Sequence, residues 1–282
     1  MNSSENTPHY TLLGSIEPHM QLLRIPSEYQ LLYKIMKVED LLSSITGNYL
    51  YFNRVDSYSD FPNADENDGR QLPTDQPFNA AVRFQKAPNF SAADYYDKSR
   101  RRTYACCFSV GNSNYIWETY ANGSEKGKVC VVFEFGKLRA MLNSVLNPES
   151  ANLIYEGNHC PQIFSVNYGL VNYVAWGKHR TNKEYLSNPI LYTYFKDIKR
   201  FSEEKELRIS LSAFGIGNFS LNHGTLMEFP SSLRLDFDFR NAIASSTIRE
   251  ILLAPEADTD ILMREFSKLR IMGAKRTVSP IT

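Results

Sequence analysis

Net charge is absent from this sequence: 31 lysines and arginines stand against 31 aspartates and glutamates. A balanced chain makes no global electrostatic case for nucleic acid or an anionic membrane surface. The densest basic run, Lys98-Ser99-Arg100-Arg101-Arg102, reads first as a solvated helix end and second as a phosphate contact. Cysteine is scarce. Cys106, Cys107, Cys130 and Cys160 fit no zinc spacing and read as reduced thiols packed as small hydrophobes. The five histidines show no ligand spacing, and His159-Cys160 is the only close pair, so no metal is expected. No glycine-rich phosphate loop follows a strand pattern, and there is no G-x-S-x-G elbow, kinase signature or H-E-x-x-H. Their absence argues against the common nucleotide-binding and hydrolase folds. No apolar run approaches the roughly 18 residues of a membrane span, and the N-terminus is polar. A cytoplasmic protein without membrane contact is the default expectation.

What is present is enough to build a core. The 282 residues are 43% hydrophobic and 13% aromatic, with 17 tyrosines and 17 phenylalanines against two tryptophans. Such a chain buries area readily, which excludes global disorder. Residues 1–30 read as a polar N-terminal arm with an apolar patch, and residues 31–282 as a single α+β domain. Strands are expected over 31–36 and 49–53, with a short amphipathic helix between them ended by Gly47-Asn48. Residues 54–89 are rich in Asp, Asn, Ser, Pro and Gly and read as a long surface loop; they lack EF-hand spacing. A helix is expected over 92–102 with Ser91 as its N-cap, then a strand over 103–109 and a short helix over 115–120. The run over 128–135 is apolar on both faces and predicts a strand buried on both sides. Helices over 138–146, 182–199 and 258–269 are expected, with strands over 153–155, 163–168, 221–229, 233–239 and 248–253. The second of these strands is a candidate partner of the first, and an edge strand after Arg270 closes the chain. The mixture predicts antiparallel or mixed sheets with helices around them.

Chemistry concentrates at three polar stations. The first is Tyr33-Lys34 on the opening strand. The second is Ser109 at a strand end, followed by Trp117, Glu118 and Tyr120. The third is the alternating stretch Glu204-Lys205-Glu206-Leu207-Arg208-Ile209-Ser210-Leu211. There Leu207, Ile209 and Leu211 point one way, and Glu204, Glu206, Arg208 and Ser210 the other, about 7 Å apart along the strand. Each station has a plain alternative. Tyr33 is read as packing beside a solvated lysine, Trp117 and Tyr120 as core, and Glu206 with Arg208 as a surface pair worth little.

In their order along the chain these segments resemble the bacterial domain of unknown function 2971 family, from about residue 31 to the C-terminus. The resemblance is carried by Leu32-Tyr33-Lys34-Ile35, Leu50-Tyr51-Phe52-Asn53, Cys107-Phe108-Ser109 with Trp117-Glu118-Thr119-Tyr120-Ala121, and Gly127-Lys128-Val129-Cys130-Val131-Val132-Phe133. It continues through Val166-Asn167-Tyr168, Glu203-Glu204-Lys205-Glu206-Leu207-Arg208-Ile209 and Ile248-Arg249-Glu250-Ile251-Leu252-Leu253. Where that family has Asn-Asp-Pro near residue 60, this chain has Ser59-Asp60-Phe61-Pro62.

More distantly, the arrangement is similar to ADP-ribosyltransferases. That similarity implies a split β core with peripheral helices and NAD, as substrate, in a cleft between two small sheets. It implies Tyr33 or Lys34 near the adenosine ribose or phosphates, although neither the usual His nor Arg stands on this first strand. It implies Ser109 lining the nicotinamide pocket, Trp117 or Tyr120 walling it, Glu206 as the catalytic carboxylate and Glu204 in an accessory role. The implied function is transfer of ADP-ribose to a nucleic acid or a protein, by a toxin or phage-defence effector with a cognate antitoxin. A non-catalytic nucleotide- or protein-binding module on the same fold, and an NAD glycohydrolase, are the alternatives.

Overall fold

The computed structural model describes residues 9–10, 15–16, 23–60, 64–145, 153–160, 164–181, 189–213, 218–221, 223–271 and 275–278. Two short strands, β1 (His9–Tyr10) and β2 (Ser15–Ile16), precede β3 (Leu31–Lys37), α1 (Val38–Gly47) and β4 (Tyr49–Arg54). A 3-10 helix (Val55–Asp60) leads towards α2 (Gln76–Ala81), the hairpin β5 (Arg83–Phe84) and β6 (Ala87–Ser91), α3 (Ala92–Arg100) and β7 (Thr103–Ser109). Next come α4 (Asn114–Thr119), β8 (Lys128–Glu134), α5 (Phe135–Val145), β9 (Leu153–Tyr155), β10 (Asn158–His159), β11 (Phe164–Leu170) and β12 (Asn172–Val174). A 3-10 helix (Pro189–Tyr194) runs into β13 (Phe195–Asp197), α6 (Ile198–Phe201), a 3-10 turn (Ser202–Glu204) and β14 (Glu206–Ala213). The chain continues with β15 (Phe219–Ser220), β16 (Leu226–Met227), β17 (Ser232–Asp236), α7 (Phe239–Ala244), β18 (Ile248–Leu253), α8 (Thr259–Lys268) and β19 (Arg276–Val278).

The fold is α+β, with one large mixed sheet whose main path runs β1-β2-β11-β14-β7-β3-β8-β18-β19. One edge of β7 pairs with β14 along its whole length. The other edge is divided. At its end Ser109 pairs with Tyr33 of β3, while nearer its start Ala105 and Tyr104 pair with Asn53 and Arg54 of β4. Beyond those points β3 and β4 diverge, and each leads its own branch: β3 to β8, β18 and β19, and β4 to β17, β9 and β10. The sheet is therefore split, with a wedge between the branches and β7 at its apex. Helix α1 spans the open end of the wedge, because it connects β3 directly to β4.

Local sequence accounts for most of these elements. In α1, Val38, Leu41 and Ile45 are buried on one face, and Asn48 adopts the left-handed cap, where its backbone N–H donates to Ile45 and Ser44. In α3, Ser91 and Asp94 form a reciprocal capping box. The central residues of β8 are buried on both faces, between β3 and β18. The main core packs Leu207, Ile209 and Leu211 against a set that includes Phe52, Tyr104, Phe108, Phe133 and Phe237.

Several expectations are corrected. Residues 54–89 are not a surface loop: they hold a 3-10 helix, α2 and β5, and Asp65, Asp68, Leu72, Asp75 and Asn79 are buried. Buried polar partners, not periodicity, order this segment. Residues 182–188 lie outside the described residues, and 189–199 are not one helix but 3-10 helix, strand and the start of α6. The strand β11 pairs with β14 and β2 rather than with β9, which pairs with β10 and β17. The expected strand over 221–229 is a small β15–β16 hairpin, and the one over 233–239 ends at Asp236 before α7. In the N-terminal arm, residues 1–8, 11–14 and 17–22 lie outside the described residues. Ile16 pairs with Val166, and Leu23 is buried with Ile190, Leu191 and Tyr194. No helix among the described residues is long and apolar enough to cross a membrane.

Gly127 marks a close approach beside the wedge. Its φ of +82° favours glycine, and a Cβ there would lie 2.6 Å from the Ala257 Cα and the Glu256 carbonyl oxygen. Its carbonyl also accepts from the Val38 N–H that starts α1. Gly127→Ala is expected to cost more than about 2 kcal/mol, read as the drop in unfolding free energy in urea.

Candidate active site

The wedge encloses a cavity of about 660 Å³, a volume suited to a small ligand or cofactor. Residues 33–37 of β3 line one wall, Tyr49, Tyr51 and Asn53 of β4 the other, and residues 105–109 of β7 the floor. Tyr120, Asp65, Asp68, Lys196, Glu204, Glu206 and Arg208 are also among the lining residues.

The ladder registers explain this convergence. Glu206 pairs with Ser109, and Ser109 pairs with Tyr33. These three residues form a row across three strands, with successive Cα atoms about 4.5–5.5 Å apart. Arg208 pairs with Cys107 one step along. The alternation read in the sequence puts Glu206, Arg208 and Ser210 on one face, but that face is not solvated. Every residue of β14 is buried. The segment carrying Asp68 and the 189–196 stretch form a second layer over it, and the surface-pair reading of Glu206 and Arg208 is overturned.

Arg208 is fully buried and all three of its guanidinium nitrogens are engaged. Its Nη1 and Nη2 donate to Asp68 Oδ1 and Oδ2 at 2.5 and 2.8 Å, Nη1 donates to the Thr193 carbonyl at 2.6 Å, and Nε donates to Glu206 Oε1 at 2.7 Å. The other Glu206 oxygen, Oε2, lies 2.7 Å from Lys196 Nζ. The same ammonium donates to Glu204 Oε2 at 2.7 Å. The Tyr120 hydroxyl donates to the remaining Glu204 oxygen, Oε1. A continuous chain thus runs from Asp68 through Arg208, Glu206, Lys196 and Glu204 to Tyr120. The backbone N–H of Glu206 donates to the Tyr173 hydroxyl at 2.7 Å, which fixes the start of β14.

The chain links three carboxylates to two cations, and their environments divide them. Burial pushes Glu206 up, but Arg208 and then Lys196 outweigh it and hold the carboxyl well below the usual range. Burial pushes Glu204 up as well; Lys196 opposes it, Glu206 adds repulsion, and the net shift is upward. Lys196 stays charged, because Glu206 and Glu204 together override its burial. Two glutamates two residues apart therefore have opposite tendencies, one locked as an anion and the other able to hold a proton. Cys107, hydrogen-bonded to Glu206, is pushed up to about 12 by burial and by that carboxylate, so it is a neutral thiol donor and not a nucleophile.

Of the residues singled out in the sequence, Tyr33, Lys34, Ser109, Tyr120, Glu204 and Glu206 all line the cavity. Lys34 Nζ donates to the Cys107 carbonyl at 3.2 Å and sits 5.1 Å from the Phe108 ring centroid. The Ser109 hydroxyl donates to the Gly111 carbonyl at 2.8 Å. Trp117 is not among the lining residues. It is buried with Ile116, Cys130, Val132 and Leu252, and its indole N–H donates to Asn112 Oδ1 at 2.7 Å. Helical spacing grouped Trp117 with Tyr120, but Tyr120 lies past the end of α4 in extended backbone and turns to Glu204 instead. Glu204 precedes the strand: Lys205 takes a left-handed conformation, φ +46°, and breaks the alternation between Glu204 and Glu206. This lets one lysine reach both carboxylates.

Sequence reasoning missed Asp65, Asp68, Lys196, Tyr173 and Cys107. Only Cys107 had a signal, because strand alternation puts it on the face of Ser109. Asp68 and Lys196 lie 140 and 12 residues from Arg208; Asp68 sits in a turn and Lys196 in the three-residue strand β13, too short for periodicity to mark. Asp65 Oδ2 is buried without a hydrogen-bond partner among the described residues and lies on the cavity wall. It is a ready acceptor for a ligand hydroxyl. No group of three or more His, Cys, Asp or Glu among the described residues is arranged to hold a metal ion.

No family model matches the chain, that of the domain of unknown function 2971 family included, and no curated protein matches it. Three solved structures of Thermus sp. 2.9 DarT do. The complex with ADP-ribosylated ssDNA is 11% identical with a TM-score of 0.35, covering 92% of this chain and 98% of that one. The NAD+ complex is 11% identical with a TM-score of 0.36, covering 91% and 98%. The carba-NAD+ complex is 10% identical with a TM-score of 0.34, covering 91% and 98%. At those scores the likeness assigns no role to any residue here.

Two outcomes follow from the charge network. Arg208→Met leaves Asp68 buried without its cation and Glu206 with Lys196 alone, and is expected to cost about 3–5 kcal/mol of unfolding free energy; Arg208→Lys recovers little, having no fork for Asp68. The second concerns acid. Glu206 is depressed in the folded protein, so its contribution is present above its unfolded pKa of about 4.3 and is lost as pH falls through the folded value. Urea melts between pH 5 and pH 3 are expected to show wild type losing more stability than Glu206→Gln.

Proposed function

We propose that this protein is an NAD-dependent ADP-ribosyltransferase of the toxin or defence-effector kind. The observation that carries the reading is the pair Glu204 and Glu206, held by one lysine in a cavity of about 660 Å³ and shifted in opposite directions. Breaking the bond between nicotinamide and ribose moves the bonding electrons onto the departing ring nitrogen and leaves the ribose with oxocarbenium character. A carboxylate locked as an anion stabilises that positive charge. Glu206 has this property because Arg208 and Lys196 keep it ionised. A carboxyl with a raised pKa can accept the proton that an acceptor loses as its oxygen or nitrogen bonds to the ribose carbon. Glu204 has this property, with the Tyr120 hydroxyl to orient it.

The remaining lining suits a dinucleotide. Lys34 and Lys37 are cations on one wall for the pyrophosphate, and the unpartnered Asp65 oxygen accepts a ribose hydroxyl. Tyr33 and Tyr120 offer rings against which nicotinamide stacks, with Ser109 beside them. Lys196 is a positioning residue here: it sets the charge of both glutamates.

The test is incubation of the purified protein with NAD labelled in the adenylate half, together with nucleic acid or a cell lysate. Labelled acceptor and released nicotinamide are expected, with Glu206→Gln slower by about 100-fold or more. Nicotinamide released without any labelled acceptor would instead identify an NAD glycohydrolase. Wild type indistinguishable from Glu206→Gln in both readouts would overturn the reading and leave a binding module.

A further inference from the structure

Away from the cavity, α2, the β5–β6 hairpin and α3 expose a cluster of aromatic rings. Phe78 is 52% exposed and Phe84 41%, although most phenylalanines of this chain are buried. Phe84 stacks on Phe90 with centroids 5.7 Å apart and meets the edge of Tyr95 at 6.3 Å. Cations accompany these rings. Arg180 lies 3.7 Å from the Phe78 centroid, and Lys98 Nζ lies 4.8 Å from that of Phe90. Arg83 and Lys86 are exposed on the hairpin itself. Two carboxylates lie nearby: Asp94 caps α3 through Ser91 and also attracts Arg83 and Lys98, and Asp97 accepts from Gln71, so Lys86 and Arg180 are the cations here that Asp94 does not offset.

We infer that this face is a platform for single-stranded nucleic acid. Exposed ring faces beside cations are what unpaired bases and their phosphates require, since bases stack on the rings and the backbone follows the charges. A duplex hides its bases from such rings, and the cations over Phe78 and Phe90, with Lys86 on the hairpin, suit a phosphate backbone better than the apolar centre of a protein interface. The basic run 98–102 contributes only in part. Arg102 is buried on the Ala213 carbonyl and the Ser99 hydroxyl, and Arg100 donates to the Asp68 carbonyl, so these two arginines are structural. The platform is also tied to the site. The segment that begins with Asp65 and Asp68 on the cavity wall continues through α2 into the hairpin, and Gln71 donates to the Ala93 carbonyl of α3. The inference rests on the reading above in that it names the acceptor class, but its test needs no NAD.

Fluorescence anisotropy with labelled oligodeoxythymidylate and oligouridylate of about twelve nucleotides, and with a duplex of the same length, decides it. The single strands are expected to bind and the duplex to bind more weakly; the two single-stranded arms separate DNA from RNA. Phe78→Ala and Phe84→Ala, both at exposed positions that leave the core intact, are each expected to weaken binding about fivefold or more. Arg83→Ala with Lys86→Ala is expected to flatten the dependence of log affinity on log salt by about 0.7 for each phosphate no longer neutralised. No binding at low salt, equal binding of the duplex, or affinity unchanged in Phe78→Ala and Phe84→Ala would overturn the platform. Oligonucleotide binding without NAD turnover would leave the platform standing and remove the enzymatic reading, so the two fail separately.

Discussion

The guanidinium of Arg208 is the group on which the rest of the site depends. It is taken wholly out of water on a central strand, a placement that costs several kcal/mol unless every donor is paired. Here the pairing is met from three directions: Asp68 from the segment after β4, Thr193 from the stretch before β13, and Glu206 from its own strand. One side chain therefore ties two irregular segments onto the sheet. It also holds one oxygen of Glu206 and keeps that carboxylate ionised. The roof of the cavity and the charge on its floor have a common origin.

The pair of glutamates shows how small a structural difference separates two chemical roles. Both are buried and both touch Lys196. Glu206 has a second cation at 2.7 Å; Glu204 has a neutral hydroxyl in that place. At low effective dielectric that exchange is enough to push the two carboxyls in opposite directions. The left-handed Lys205 takes Glu204 out of the alternation of β14, and one lysine meets both carboxylates in the arrangement that results.

The division of β7 supplies the space. A strand that pairs with one neighbour along its whole edge leaves no room beside it. Here β3 and β4 each take part of that edge and then separate, so the cavity follows from backbone pairing and not from a missing side chain. Ser109 is paired on both edges of β7, with Glu206 on one side and Tyr33 on the other, and this makes the row Glu206, Ser109, Tyr33 short enough for one ligand to span.

Most of the sheet was legible in advance. Residues 31–37, 103–109, 128–134 and 248–253 carry apolar patterns that hold in almost any packing, and the caps at Asn48 and Ser91 are local chemistry. The polar stations beside those patterns, together with the resemblance to ADP-ribosyltransferases, brought Tyr33, Lys34, Ser109, Trp117, Tyr120, Glu204 and Glu206 forward as candidates. They failed for Trp117, whose helical spacing is the same whether it faces a ligand or a core. They failed again for residues 54–89 and 189–197, where Asp68 and Lys196 sit in backbone ordered by hydrogen bonds from distant partners. The sequence by itself determined which faces of the strands are apolar and which residues carry charge. Only the tertiary structure decided that the polar face of β14 is buried, which cation each glutamate meets, and hence which of them stays ionised, because burial and Coulomb interaction depend on distances between segments far apart in the chain.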